Sequence, residues 1–241
     1  MHLQLERFGD AAAPWHGLVW RGAFQPTPDD RVPPLPGGAA AGTLALLGFA
    51  GQRGWPAFAA APEAADGLPD PLDRWSRRVV GALAEAVGGM ALFPFGGPPW
   101  LPFQRWARRA EPLFASPLGL LVHPVWGLWH SFRGAVALPE RLELPPMPPA
   151  DHPCESCADK PCLTTCPVGA FQPSSYDVPA CVAHIAAPQG TDCIALGCAA
   201  RRACPVGREH IYAPEAAAFS MRAFRAARLP QSPAANSSPV A

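Results

Sequence analysis

The sequence has one lysine, Lys160, so its positive charge rests almost wholly on arginine. Lys and Arg together number 19, Asp and Glu also 19, and the formal net charge is zero. That balance removes the basic footprint of a general nucleic-acid binder. Long unbroken apolar runs are missing too. Residues 32–52, 86–104 and 112–132 carry no Asp, Glu, Lys or Arg, but prolines such as Pro33, Pro98 and Pro117 interrupt each. A membrane span wants about 20 mainly apolar residues in one helix, so no membrane segment is expected. Residues 1–14 hold Glu6, Arg7 and Asp10 and lack the apolar core of a secretory signal, which points to a cytoplasmic protein. No P-loop, dinucleotide glycine fingerprint or Ser/His/Asp arrangement is present; Gly37-Gly38 and Gly96-Gly97 are isolated pairs. Residues 1–153 contain no cysteine at all.

What is present suffices for one domain and a smaller module: 241 residues, 49% of them hydrophobic. The 33 prolines and 22 glycines fall just short of a low-complexity composition. Residues 43–50 (TLALLGFA) form a short apolar run bounded by glycines, as a buried strand does. Residues 70–87 read as a helix. Asp70 is placed to cap it, Pro71 takes the first helical position, and Leu72, Trp75, Val79, Leu83 and Ala86 recur at helical spacing until Gly88-Gly89. Strands are expected at 90–95, 118–122 and 134–138, a helix at 102–110, and a loop at 123–132. This order predicts an α+β domain over residues 1–144. A proline-rich linker follows at 145–153, then a cysteine module at 154–212, a closing helix at 213–228 and a disordered tail at 229–241.

All eight cysteines lie between Cys154 and Cys204. The run begins Cys154-x-x-Cys157, continues to Cys162 and Cys166-Pro167, passes a lone Cys181, and ends with Cys193, Cys198 and Cys204-Pro205. The tetrapeptide Cys-Pro-Val-Gly occurs twice, at 166–169 and 204–207, an internal repeat of the kind two-cluster ferredoxins show. Thiolates suit iron–sulfur clusters or zinc, and eight satisfy two Cys₄ [4Fe–4S] clusters with none left over. Disulfides fit poorly with an intracellular chain. Structural zinc is the nearer rival, but the Cys-Pro endings have no role in a zinc ribbon.

The stretch CESCADKPCLTTCPVGAFQPSSYDVPACVAHIAAPQGTDCIALGCAARRACPVG resembles the dicluster module of epoxyqueuosine reductases and, more distantly, of reductive dehalogenases. The resemblance implies that Cys154, Cys157, Cys162 and Cys204 hold one cluster and Cys166, Cys181, Cys193 and Cys198 the other. The chain departs from that family in its wider spacings, with four residues between Cys157 and Cys162. Upstream, residues 118–138 (LGLLVHPVWGLWHSFRGAVAL) are similar to the strand–loop–strand of the epoxyqueuosine reductase catalytic domain. They are also similar to the cobalamin-processing protein of methylmalonic aciduria and homocystinuria type C. Both relatives imply a nitroreductase-like α+β fold that binds cobalamin. On that resemblance, His123, Trp126, Gly127, Trp129 and Arg133 are candidates to contact a corrinoid. Residues 92–100, where those reductases place an acidic proton donor, contain no Asp or Glu, so queuosine chemistry does not transfer.

Structural roles stand beside these. His123 would close a strand end, His130 would lie in solvent rather than shuttle a proton, Trp126 and Trp129 would fill core, and Arg133 would sit in an ion pair. Arg201, Arg202 and Lys160 lie among the cysteines, where positive charge would raise a cluster's potential or dock an acidic redox partner. The functional expectation is an iron–sulfur redox protein with two [4Fe–4S] clusters serving a centre, for which a corrinoid is one candidate, in the N-terminal domain. The alternatives are a ferredoxin-like carrier with a non-catalytic docking domain, or a zinc-stabilised interaction protein.

Overall fold

The computed structural model describes residues 17–172 and 175–228. The expectations for residues 1–14 and for a tail at 229–241 lie outside the described residues. Among the described residues, six strands precede the linker: β1 (Val19–Phe24), β2 (Thr43–Ala50), β3 (Met90–Leu92), β4 (Phe114–Ala115), β5 (Leu121–Val122) and β6 (His130–Leu138). Strands β4 and β5 make a hairpin; the others form one sheet in the order β1-β2-β6-β3, antiparallel throughout. Four helices accompany them: α1 (Trp55–Ala59), α2 (Pro62–Ala65), α3 (Pro71–Ala86) and α4 (Phe103–Ala110).

Every residue of β2 is buried, because both faces of the sheet are covered. Alternation along the strand divides the work. Ala45, Leu47 and Phe49, with Val136 and Leu138 of β6, pack against Trp75, Val79 and Leu83 of α3. Leu44 and Leu46, with Ala135 and Ala137, meet Phe103, Trp106 and Ala107 of α4 on the other face. The expected α+β domain is therefore a helix–sheet–helix stack.

The departures are local and each has a cause. Strand β1 was not legible, since Gly22 (φ 83°) sits where its register with β2 shifts and breaks the period-two pattern. Strand β3 stops at Leu92 rather than 95, two residues before Pro94, which has no N–H to give a ladder. Strand β6 starts at His130 rather than 134, because His130, Ser131 and Phe132 pair with Ala50, Phe49 and Gly48. Only Leu121–Val122 of the expected strand at 118–122 is extended, the rest being the turn between β4 and β5. Asp70 takes a left-handed backbone (φ 51°) and its side chain makes no cap; Pro71 opens the helix without it.

Residues 145–153 carry no regular structure. The cysteine segment then folds as α5 (Pro161–Thr164), a hairpin of β7 (Phe171–Gln172) and β8 (Ser175–Tyr176), α6 (Val178–Ala186), α7 (Thr191–Leu196) and α8 (Ala199–Arg202). Helix α9 (Pro214–Arg228) lies between the two halves. Its Phe219 ring packs 5.5 Å from Trp55 and 5.3 Å from Phe58, while Met221 and Phe224 cover Ile185 and Cys193. No helix among the described residues is long and apolar enough to cross a membrane.

Candidate metal centre and adjoining cavity

The eight thiols are free, and Cys166, Cys181, Cys193 and Cys198 line one hollow. Burial, followed by the charges of Cys204, Cys162 and Cys157, pushes the Cys154 thiol up. Cys162 is raised by burial and then by Cys204 and Cys157. Cys204 is raised by burial, against an amide hydrogen bond from Val206, and then by Cys157. Burial raises Cys181, the Tyr176 hydroxyl opposes it, and Cys166 and Cys193 add to it. Cys198 is raised by burial, against backbone hydrogen bonds at Arg201 and Ala200, and then by Cys193 and Cys181. Every neighbour named falls in its own group of four. Cys204 thus joins the first three cysteines, and Cys166 joins the later three.

Cys162 and Cys204 are buried with Leu118, Val122 and Leu128 of the N-terminal domain in one cluster, against which Cys154, Cys166 and Cys198 also pack. The second group encloses an apolar hollow whose walls include Pro167, Phe171, Ile185 and Met221. Ala170 donates its amide to Cys166 Sγ at 3.4 Å, and Tyr176 stacks on Phe171 at 4.5 Å. Tyr176 was not singled out from the sequence; its place between Cys166 and Cys181 was the available signal. The donor set fits two clusters: four thiols each, with amides and one hydroxyl to hold the sulfur charge. Among the described residues, no three His, Cys, Asp or Glu side chains converge as a single ion requires.

The two copies of Cys-Pro-Val-Gly are used differently. In the second copy Val206 and Gly207 lie against the loop at Trp126-Gly127, and a Cβ on Gly127 (φ 56°) would stand 2.0 Å from the Val206 carbonyl oxygen. In the first copy, Gly169 (φ 57°) has nothing within 4 Å. Both glycines pay the same left-handed penalty on substitution, about 1–2 kcal/mol. Gly127→Ala should therefore cost clearly more than Gly169→Ala in urea unfolding, and should lower the iron retained. Equal costs would mean that the loop and the module are not locked together.

A cavity of about 390 Å³ opens between the domain and α9. Phe49, Trp55, Leu72, Phe132, Tyr212 and Phe219 give it apolar walls, and His130, Arg133 and Arg201 add polar groups. Of the five residues proposed for a corrinoid, only Arg133 lines it. His123 bridges to Gly127, and its Nδ1 accepts from the amides of Val125 and Trp126. Trp126 packs on His210 at 4.5 Å. Trp129 is buried under Arg201, with its ring 4.5 Å from that guanidinium. Gly127 backs onto Val206. Arg133 itself pairs with Asp73 and donates to Ser76 Oγ. A cavity of this size suits a drug-sized ligand, and a whole corrinoid with its amide arms needs more room than it encloses.

His130 is not in solvent. Its Nε2 meets the Leu121 carbonyl at 2.9 Å and its Nδ1 meets Arg21 Nη2 at 3.2 Å. Arg21 has only donors and the carbonyl only accepts, so Nε2 carries the proton and Nδ1 accepts. Burial first, and then the Arg21 charge, hold this ring neutral down to about pH 3; Leu121 opposes, while His123 and Arg201 add to the effect. It lines the cavity with both ring nitrogens partnered. Burial and Arg21 similarly take His123 down to about 4. An unfolded histidine gains its proton near 6.5, so through this window the unfolded chain binds more protons and stability falls on acidification. At pH 5 the His130 contribution should be about 2 kcal/mol smaller than at neutral pH. His130→Asn should remove that part of the pH slope in urea unfolding. An unchanged slope would refute the buried neutral ring.

Arg21 is the hub behind this wall. It is 1% exposed, donates twice to Glu111 at 2.6 Å, and donates to the Phe49 carbonyl at 2.8 Å. Neither Arg21 nor Glu111 stood out in the sequence, because each lies outside any chemical motif. Arg202 pairs with Asp192 at the surface, and Arg201 turns inward to the Leu128 carbonyl.

No family model matches the chain, and no curated protein sequence does. Among solved structures, it is similar to epoxyqueuosine reductase from Bacillus subtilis at 18% identity and a TM-score of 0.46, over 90% of this chain and 70% of that one. A second similar structure is epoxyqueuosine reductase with an epoxyqueuosine-modified stem loop of tyrosine tRNA, at 17% identity and 0.47, over 90% and 69%. At that distance no residue here takes a role by correspondence.

Proposed function

We propose that the chain is an iron–sulfur redox protein that holds two [4Fe–4S] clusters beside a ligand cavity. The observation that carries this reading is that Cys166, Cys181, Cys193 and Cys198 line one hollow, while Cys204 returns to neighbour Cys154, Cys157 and Cys162. Cys154, Cys157, Cys162 and Cys204 would hold one cluster, and Cys166, Cys181, Cys193 and Cys198 the other. Such clusters supply one-electron transfer. The protein's own groups tune them: amides at Ala170, Ala200 and Val206 and the Tyr176 hydroxyl face the sulfurs, and apolar side chains limit water.

Zinc is less well supported, because the two Cys-Pro endings have no role in a zinc ribbon. The geometry also favours a ligand site over a pure carrier. Helix α8 starts next to Cys198 and ends on Arg201 and Arg202, and Arg201 lines the cavity. The second thiol group and the cavity thus share one short helix.

The test is anaerobic reconstitution with iron and sulfide. About eight irons and eight sulfides per chain, with a broad band near 400 nm, are expected. A colourless protein that binds zinc alone overturns the reading.

A further inference from the structure

The cavity's charge does not balance. Its lining contains two arginines and no Asp or Glu. Arg133 is neutralised by Asp73 of α3. Arg201 has no carboxylate partner among the described residues: one hydrogen bond goes from Nη2 to the Leu128 carbonyl, and the rings of Trp129 and Tyr212 lie 4.5 and 4.8 Å from its Cζ. Its Nε is buried and has no acceptor. A guanidinium presents five donors and a fixed positive charge, and Arg201 lines the cavity with no carboxylate among the described residues to offset it, so an anion brought to its open donors is favoured. His130 adds no charge to compete, since Arg21 and Leu121 hold both of its ring nitrogens. The walls around Arg201 are aromatic and aliphatic, with Phe49, Trp55, Phe132 and Phe219 in one cavity.

We propose that this cavity binds an organic carboxylate with a flat apolar body, its carboxylate held by Arg201 and its ring by the aromatic walls. The proposal rests on the reading of the cavity as a ligand site beside the clusters, and names the ligand's class. A free phosphate would use the arginine but not the walls, and a neutral aromatic would use the walls but not the arginine.

Iron-replete protein is titrated anaerobically with 2-naphthoate, 2-naphthalenemethanol and inorganic phosphate by calorimetry. Naphthoate should bind about tenfold or more tightly than the alcohol, and phosphate should not displace it. Arg201→Gln should weaken naphthoate by about tenfold or more and leave the alcohol nearly unchanged. Ser220→Trp, an exposed position at the cavity on α9, should block both without touching an arginine. Iron content is measured on every sample. Naphthoate that does not bind the iron-replete protein, binds no better than the alcohol, or is indifferent to Arg201→Gln overturns the proposal. Naphthoate binding in a protein that takes up no iron supports the site and overturns only the cluster reading.

Discussion

Cys204→Ala and Cys154→Ala should damage the same cluster, although they stand at opposite ends of the cysteine segment. Each should leave an electron paramagnetic resonance spectrum in the reduced protein that matches the other's. Cys166→Ala and Cys198→Ala should share a second, different remainder. Iron should fall from about eight per chain towards about four, or by less where the damaged cluster survives with one iron missing. The cause is the crossing of the chain. Cys166 stands next to Cys162 in sequence, yet its thiol acts on Cys181 in the second group, while Cys204 returns to the Cys154 group. A chain that simply wrapped its first four cysteines around one cluster and its last four around the other would pair Cys204→Ala with Cys198→Ala. That pairing would refute the assignment. Loss of the second cluster should also loosen α9, because Met221 and Phe224 pack on the apolar cluster of Ile185, Cys193 and Ala199.

The cysteines were legible because their chemistry is local: spacing and the repeated Cys-Pro-Val-Gly carry it. Helix α3 and strand β2 were legible for a related reason, since Trp75, Val79 and Leu83, and Leu44 to Phe49, each write their period into one short stretch. The cavity was not. Its walls come from β2, β6, α1 and α9, and no stretch of sequence holds more than a few of them. The loop at 123–129 shows the limit most clearly. Its tryptophans look free to face a cofactor, but Val206, Gly207, His210 and Tyr212 arrive from far along the chain and cover them. Aromatic spacing says that a face will be buried and not by what.

Glu111→Ala should be among the most damaging single changes outside the cysteines, at about 3–5 kcal/mol in urea unfolding. A guanidinium keeps its charge at ordinary pH, and Arg21 is only 1% exposed. Burial pushes the Glu111 carboxyl up and the paired guanidinium pulls it back, so each ion depends on the other in a medium that favours neither. Removing the carboxylate strands the cation. Removing both, as Arg21→Leu with Glu111→Leu, takes away the stranded charge and should recover much of the loss, leaving the cost of the Phe49 and His130 contacts. The His130 ring separates this account from simple packing damage. Arg21 follows burial among the causes that keep that ring neutral, so Arg21→Leu/Glu111→Leu should raise the His130 pKa, read by imidazole proton resonances across a pH titration. A double variant as unstable as Glu111→Ala, with His130 titrating as before, would show that the pair does not govern this wall of the cavity.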